Sequence, residues 1–205
     1  MSILAAILAT VLLMGLGLSM LLLGTSEAVL AAHDRTARAL REASIAVVHL
    51  TLADLRRQPS WSAVLGAGAP SPSSAAPGRA VDLSLSPAAP WGGPALDLRQ
   101  ITVDVAAAAD TAGGDAQLWR LYEYGSLPNL VPGAGAPPFY VAAWVADDRA
   151  DGDGDPLTDS NGILAIRAAA FGAGDTRAVT AVSIRKTMPP SGPADVQVLA
   201  IRPLQ

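Results

Sequence analysis

The sequence predicts an α+β protein: one long N-terminal helix, membrane-spanning in its first half and amphipathic in its second, packed on a mostly antiparallel β-sheet. Three observations predict it. No charged residue occurs from Met1 to Ser26, helical periodicity then continues without a proline until Pro59, and strand-like segments dominate after Ala95. The 205 residues accordingly divide into a transmembrane half-helix over 1–26, an amphipathic half-helix over 27–58 and a β-rich globular domain over 59–205.

Ile3 to Leu23 is apolar apart from Thr10, Ser19 and two glycines, Gly15 and Gly17. At about 1.5 Å per residue this run is about 32 Å long, enough to cross a hydrocarbon core of about 30 Å. A cleaved signal peptide fits less well, because its apolar region would be too long and no basic stretch precedes it. The segment therefore reads as a retained span. Beyond it, Arg35, Arg38, Glu42, His49, Arg56 and Arg57 fall on one polar arc at about 100° per residue. Leu40, Ala43, Val47 and Leu50 lie on one flank, and Ile45, Val48, Leu52 and Leu55 on the other, so the helix presents a widening apolar surface to the sheet. Arg41 and Asp54 fall off the polar arc and are expected to snorkel or pair. Pro59 ends the helix.

Trp61 to Pro94 is rich in Gly, Ala, Pro and Ser and reads as loop, with one short strand expected over Val81–Leu85. Leu96–Val105 alternates and is expected to be a strand, as are Gln117–Tyr124, Phe139–Val145, Ile163–Phe171, Arg177–Lys186 and Val196–Ile201. Gly172-Ala173-Gly174-Asp175 marks a hairpin turn, and Leu127–Pro138 a loop.

Composition bounds the function. Hydrophobic residues make up 51%, much of it Ala, and aromatics 4%, which gives a modest core of small residues. Without cysteine there are no disulfides or thiolate metal sites. A net charge of −4, with no basic cluster beyond the helix, argues against a nucleic-acid partner. No nucleophile elbow, phosphate loop or His-rich metal motif is present, so an enzyme is not expected and no catalytic residue is assigned.

The apolar opening Ile3-Leu4-Ala5-Ala6-Ile7-Leu8, Gly17-Leu18-Ser19 and the run Ala37-Arg38-Ala39-Leu40-Arg41-Glu42-Ala43 resemble type IV pilins and type II secretion pseudopilins. So do the helix exit Leu55-Arg56-Arg57-Gln58-Pro59-Ser60-Trp61-Ser62-Ala63-Val64-Leu65, and Asp151-Gly152-Asp153-Gly154-Asp155-Pro156 ahead of a hairpin. The plan is most similar to PilX-like minor pilins. The resemblance implies a pilin-like fold and a structural subunit involved in pilus assembly. It also implies a single-pass anchor in the bacterial inner membrane, a periplasmic C-terminal domain, and later entry into a pilus or pseudopilus filament. Its partners would be membrane lipid, then other pilin subunits through Ile3, Ala5, Leu8, Gly15, Gly17, Gly24 and Glu27. The alternative reading is a membrane-anchored calcium- or adhesin-binding module of a type II secretion pseudopilus.

Three departures qualify the resemblance. Pilins are made with a short basic leader ending in Gly, and this sequence carries none; the expectation is that such a leader belongs ahead of Met1. It would also answer an orientation conflict, since Arg35, Arg38 and Arg41 after the span would by themselves hold the following domain in the cytoplasm. Ala5 stands where major pilins carry a glutamate, as in some minor components. The C-terminal cysteine pair of many minor pilins is missing.

Six carboxylates and one guanidinium crowd the stretch from Asp147 to Asn161. Asp151, Asp153, Asp155 and Asp159 match positions 1, 3, 5 and 9 of a calcium loop, with Asn161 a further oxygen donor. Pro156 and Gly162 replace the required Gly and bidentate Glu, which excludes an EF-hand. An irregular calcium-stabilised loop and a solvated Asp/Gly turn both stay open. Trp61 is expected to plug the core, and Trp119, Tyr122, Tyr124 and Trp144 to pack the sheet. His33 and His49 stand isolated, without metal-ligand spacing.

Overall fold

A computed structural model describes residues 2–67, 85–110, 117–131, 138–187 and 195–204. Helix α1 runs without a break over Ser2–Leu55, as its proline-free periodicity requires. Two units are distinguished, Met1–Arg38 and Ala39–Gln205. In the first, every described side chain is exposed.

The second unit is organised by one sheet with strand order β1-β2-β3-β4-β5. The strands are β1 (Arg120–Ser126), β2 (Tyr140–Asp147), β3 (Ile163–Phe171), β4 (Arg177–Thr187) and β5 (Asp195–Leu204). Every neighbouring pair is antiparallel. Side chains alternate between the two faces of a strand, and the two faces here bury different sets. On one face, Val141, Ala143 and Val145 of β2, Leu164, Ile166, Ala168 and Ala170 of β3, and Val182 and Ile184 of β4 form a core with α1. The helix supplies Leu40, Ala43, Val47, Val48, Leu52 and Leu55. The alanines let the helix lie close to the sheet, and each large side chain buried there contributes about 1.5–3 kcal/mol. The polar arc stays in solvent: Arg38, Glu42, His49, Arg56 and Arg57 are all exposed.

The other face carries Trp119, Leu121, Tyr124, Tyr140, Ala142, Trp144, Ala146, Ala169 and Phe171. Packed on them is a second helix layer, α3 (Leu98–Asp110), through Leu98, Ile101, Val105 and Ala106. A strand expected over Leu96–Val105 is thus a helix. The carboxylate of Asp97 accepts the backbone N–H groups of Arg99 and Gln100 at 3.0 and 3.1 Å, which caps its first turn. Its inner positions 98, 101, 105 and 106 follow a helical repeat that was hidden inside the two-residue alternation. Strand β2 therefore has both faces covered, which is why Tyr140–Ala146 reads as a nearly unbroken apolar run.

Two shorter helices correct the loop readings. Trp61–Ala67 forms α2 inside the stretch expected to be irregular, and Leu127–Leu130 forms α4. The strand expected over Val81–Leu85 lies outside the described residues except for Leu85. The hairpin of β3 and β4 is as expected, with Gly174 and Asp175 at positive φ, 64° and 56°, in its turn.

Trp61 closes the end of α1. Its indole is 1% exposed and donates to the carbonyl of Leu55 at 3.2 Å. Lys186 Nζ, 5.7 Å from the ring centroid, donates to the carbonyls of Gln58 and Pro59 at 3.0 and 2.9 Å. A cation and an indole N–H thus meet the carbonyl-rich terminus of the helix.

Candidate functional site

Three features carry chemistry beyond packing: the apolar half of α1, a polar layer under its second half, and the acidic loop between β2 and β3.

The first is long and apolar enough to cross a membrane. Ile3, Leu4, Ile7, Leu8, Val11, Leu12 and Leu13 are all more than half exposed. The hydroxyls within the run turn inward on the helix: Thr10 donates to the carbonyl of Ile7 at 2.8 Å, and Ser19 to that of Gly15 at 2.8 Å. Thr25 and Ser26 bond the carbonyls of Leu22 and Leu23 at 2.9 and 2.8 Å. Each polar atom is thereby satisfied without water, a requirement in hydrocarbon. Of the residues the resemblance assigns to subunit packing, Ile3, Ala5, Leu8, Gly15, Gly17, Gly24 and Glu27 are all exposed. No atom outside the local helix backbone and the flanking residues lies within 4 Å of a Cβ built on Gly15, Gly17 or Gly24.

The second feature is a polar layer between α1 and the sheet. An irregularity in the β1–β2 register between Leu121 and Glu123 lets both Tyr122 and Glu123 meet α1. Thr51 donates to Glu123 Oε2 at 3.1 Å, and the Tyr122 hydroxyl donates to Asp54 Oδ2 at 2.5 Å. Burial, and then the Asp54 carboxylate, push the Tyr122 hydroxyl well above the usual phenol range. Asp54, off the polar arc as expected, pairs with Arg57 at 2.7 Å. About two turns before Thr51 on the inner side, the Ser44 and Thr180 hydroxyls meet at 2.7 Å, both fully buried or nearly so.

The third feature is the acidic loop. By alternation Asp147 follows Val141, Ala143 and Val145 on the α1 face of β2, at the end of the strand. It is 7% exposed, and its Oδ1 is buried without a hydrogen-bond partner. A carboxylate oxygen of Asp147 lies within 4.8 Å of one from Asp151 and one from Asp153. These three line a cleft of about 100 Å³ together with Gln117, Asp148, Arg149 and Asp155. Burial first, and then the charges of Asp151, Asp159 and Asp153, push the Asp147 carboxyl up to about 6 against the pull of the Asp148 backbone. Asp151 is held below its usual range by Ser160, whose hydroxyl and backbone N–H both bond its carboxylate.

The loop divides the residues singled out in the sequence. Asp151 and Asp153 join Asp147, while the carboxylates of Asp155 and Asp159 are not part of that group. Asp155 accepts the backbone N–H of Leu157 at 3.0 Å and the hydroxyl of Thr158 at 2.8 Å. Asp159 Oδ1 accepts the backbone N–H groups of Gly162 and Ile163 at 2.7 and 3.2 Å, and burial raises its carboxyl. Asn161 accepts from the backbone of Ile163 at 2.7 Å and donates to Asp148 at 3.4 Å. Asp155 and Asp159 thus shape the loop. Asp147, counted for its charge alone, was not singled out as a ligand. A signal for it existed: a carboxylate in the inward register of an otherwise apolar strand. The loop is also tied down from outside, since the Asp159 backbone N–H donates to Ser62 Oγ of α2 at 3.1 Å.

The four sheet aromatics behave as packing groups. Trp119, Tyr122, Tyr124 and Trp144 are buried, and the Trp144 indole donates to Thr102 of α3 at 2.8 Å. The Arg167 guanidinium lies 4.9 Å from the Trp119 ring centroid and donates to the carbonyl of Val105 at 2.8 Å. His33 and His49 are exposed. Compared with protein-family models, with curated proteins and with solved structures, the chain gives no match.

Proposed function

We propose that the protein is a structural subunit of a pilus-like filament, a minor pilin or pseudopilin of the PilX-like kind, and not an enzyme. The observation that carries this reading is the division of labour along α1. Its first half exposes apolar side chains and satisfies its own hydroxyls, while its second half is seated on a sheet. Such a helix serves two solvents in turn. In the inner membrane the apolar half is solvated by lipid, with the C-terminal domain on the periplasmic side. In a filament the same surface packs against the corresponding helices of sister subunits, where Gly15, Gly17 and Gly24 permit close backbone approach. Ala5 leaves no carboxylate to meet a neighbouring amino terminus, which favours a minor over a bulk subunit.

The test is fractionation of the full-length chain in the organism that encodes it. It is expected in the membrane, and in sheared filaments, with a reporter fused to its C-terminus active outside the cytoplasm. Recovery as a freely soluble monomer without detergent, or a cytoplasmic reporter signal, refutes the reading. A second reading, a membrane-anchored binding module that holds calcium or an adhesin, is favoured by the acidic cleft. Its metal-binding form is taken up below.

A further inference from the structure

We propose that Asp147, Asp151 and Asp153 bind one calcium ion, which ties the end of β2 to the loop that follows it. The inference is independent of whether the chain enters a filament.

Acidic loops are common and most are merely solvated, so proximity of carboxylates is not enough. The additional observation is the state of Asp147. A solvated Asp/Gly turn keeps its carboxylates in water or gives them donors, as Asp155 and Asp159 show in this same loop. Asp147 has neither at Oδ1: the atom is buried and accepts no hydrogen bond, carboxylate oxygens of Asp151 and Asp153 lie within 4.8 Å, and the one guanidinium of the cleft lining, Arg149, faces four further carboxylates there besides Asp147. The Asp148 backbone bonds the carboxylate but leaves Oδ1 unmet; a buried carboxylate oxygen without a donor is costly, and like charges beside it increase the cost. A cation in the cleft reverses both terms at once.

The donor set selects the kind of cation. All three groups offer carboxylate oxygen, with neither nitrogen nor sulfur, which suits a hard ion. Their separations, none above 4.8 Å, fall within the span of ligands about 2.3–2.6 Å from one centre. Two carboxylates on an irregular Gly-containing loop and one at the end of β2 match the flexible coordination of calcium; magnesium demands near-ideal octahedral geometry and keeps more of its water. Two of the ligands are already oriented. Asp151 is fixed by the Ser160 and Asn161 backbone N–H groups at 2.8 and 3.3 Å, and Asp153 Oδ1 by the Asp155 N–H at 2.9 Å. Both retain acceptor capacity, since a carboxylate offers about four lone-pair sites. Asp155 and Asp159 are support for the loop rather than ligands.

The test is thermal unfolding of the full-length chain in detergent micelles, in chelator and then with calcium or magnesium chloride at about 5 mM, above the affinity range of exported calcium modules of about 0.1–1 mM. Calcium is expected to raise the wild-type Tm by about 3–6 °C. Asp147→Asn and Asp153→Asn are expected to lose that rise, while Asp175→Asn, in the β3–β4 turn, keeps it. If Asp147→Asn does not fold, Asp153→Asn carries the comparison. No rise in the wild type, or a rise that both ligand variants retain, overturns the site. An equal rise with magnesium overturns the assignment to calcium.

Discussion

The hydroxyl pair beneath α1 gives the sharpest test of how the helix is held. Ser44 has one proton, and it is donated to the carbonyl of Arg41 at 2.8 Å. The proton in the 2.7 Å contact must then come from Thr180, whose residue is 3% exposed. The two partners are therefore not equivalent. Ser44→Ala leaves the Thr180 O–H buried without an acceptor, which costs about 1–3 kcal/mol. Better helix propensity of Ala returns about 0.5 kcal/mol. Thr180→Val keeps the shape, leaves Ser44 bonded to Arg41, and should cost about 0–1 kcal/mol. In the double variant no polar group is stranded, so it should be more stable than Ser44→Ala alone by about 1 kcal/mol. Urea unfolding of the full-length chain in micelles, followed by the fluorescence of its four tryptophans, reads these differences. With a slope of about 1–3 kcal/mol per M, Ser44→Ala should lower the midpoint by about 0.5–1 M, and adding Thr180→Val should restore most of it. Equal costs for the two single variants, or strictly additive effects, would refute the assigned direction of the bond.

Other outcomes follow from the same geometry. Trp61→Ala should cost about 3–5 kcal/mol in the same assay, because it removes a 1% exposed indole and the donor at the end of α1; a loss under about 1 kcal/mol would mean the indole is not closing the core. Gly172→Ala should cost about 1–3 kcal/mol, since its Cβ would lie 2.8 Å from Thr176 Oγ1 and 3.3 Å from Leu40; Thr176→Ala in the same chain should recover part of the loss. Leu13→Arg places a charge mid-way along the apolar run, at a cost of about 2.5–3.5 kcal/mol in a bilayer, and should shift the chain out of the membrane fraction. Unchanged fractionation would argue that this run does not span.

Much of the architecture was legible because single residues faced single environments. Leu40, Val47, Leu52 and Leu55 kept one helical period and are buried; Ile163–Phe171 and Arg177–Thr187 alternated around an evident turn and pair as a hairpin. The misreading at Leu96–Val105 has a physical origin. Ile101, Val103 and Val105 are β-branched and alternate with polar groups, so local preference favoured a strand. Packing of Leu98, Ile101 and Val105 on the sheet aromatics outweighed it, and the Asp97 cap with Gln100 at the third helical position was the overlooked cue. At the acidic loop, spacing along the chain suggested which oxygens converge, but loop N–H groups bond Asp151, Asp153, Asp155 and Asp159 alike, and the folded path of the loop brings only the first two beside Asp147. Asp155 and Asp159 lie outside that group, and Asp147 came in from the neighbouring strand. Spacing within one loop cannot reveal a carboxylate contributed by a strand before it.

The five strands lie side by side in the order in which they occur along the chain. Each finds its partner in the segment synthesised immediately before or after it, so contact order within the sheet is low and hairpin-by-hairpin zippering is open to it. Most of the inner surface of α1 has no such neighbour: apart from the end at Leu55, which Trp61 meets, Leu40 to Leu52 must wait for β2, β3 and β4, more than eighty residues later. Until then a nascent chain displays that greasy stripe directly after its most insoluble segment, and this interval is when it is most exposed to aggregation.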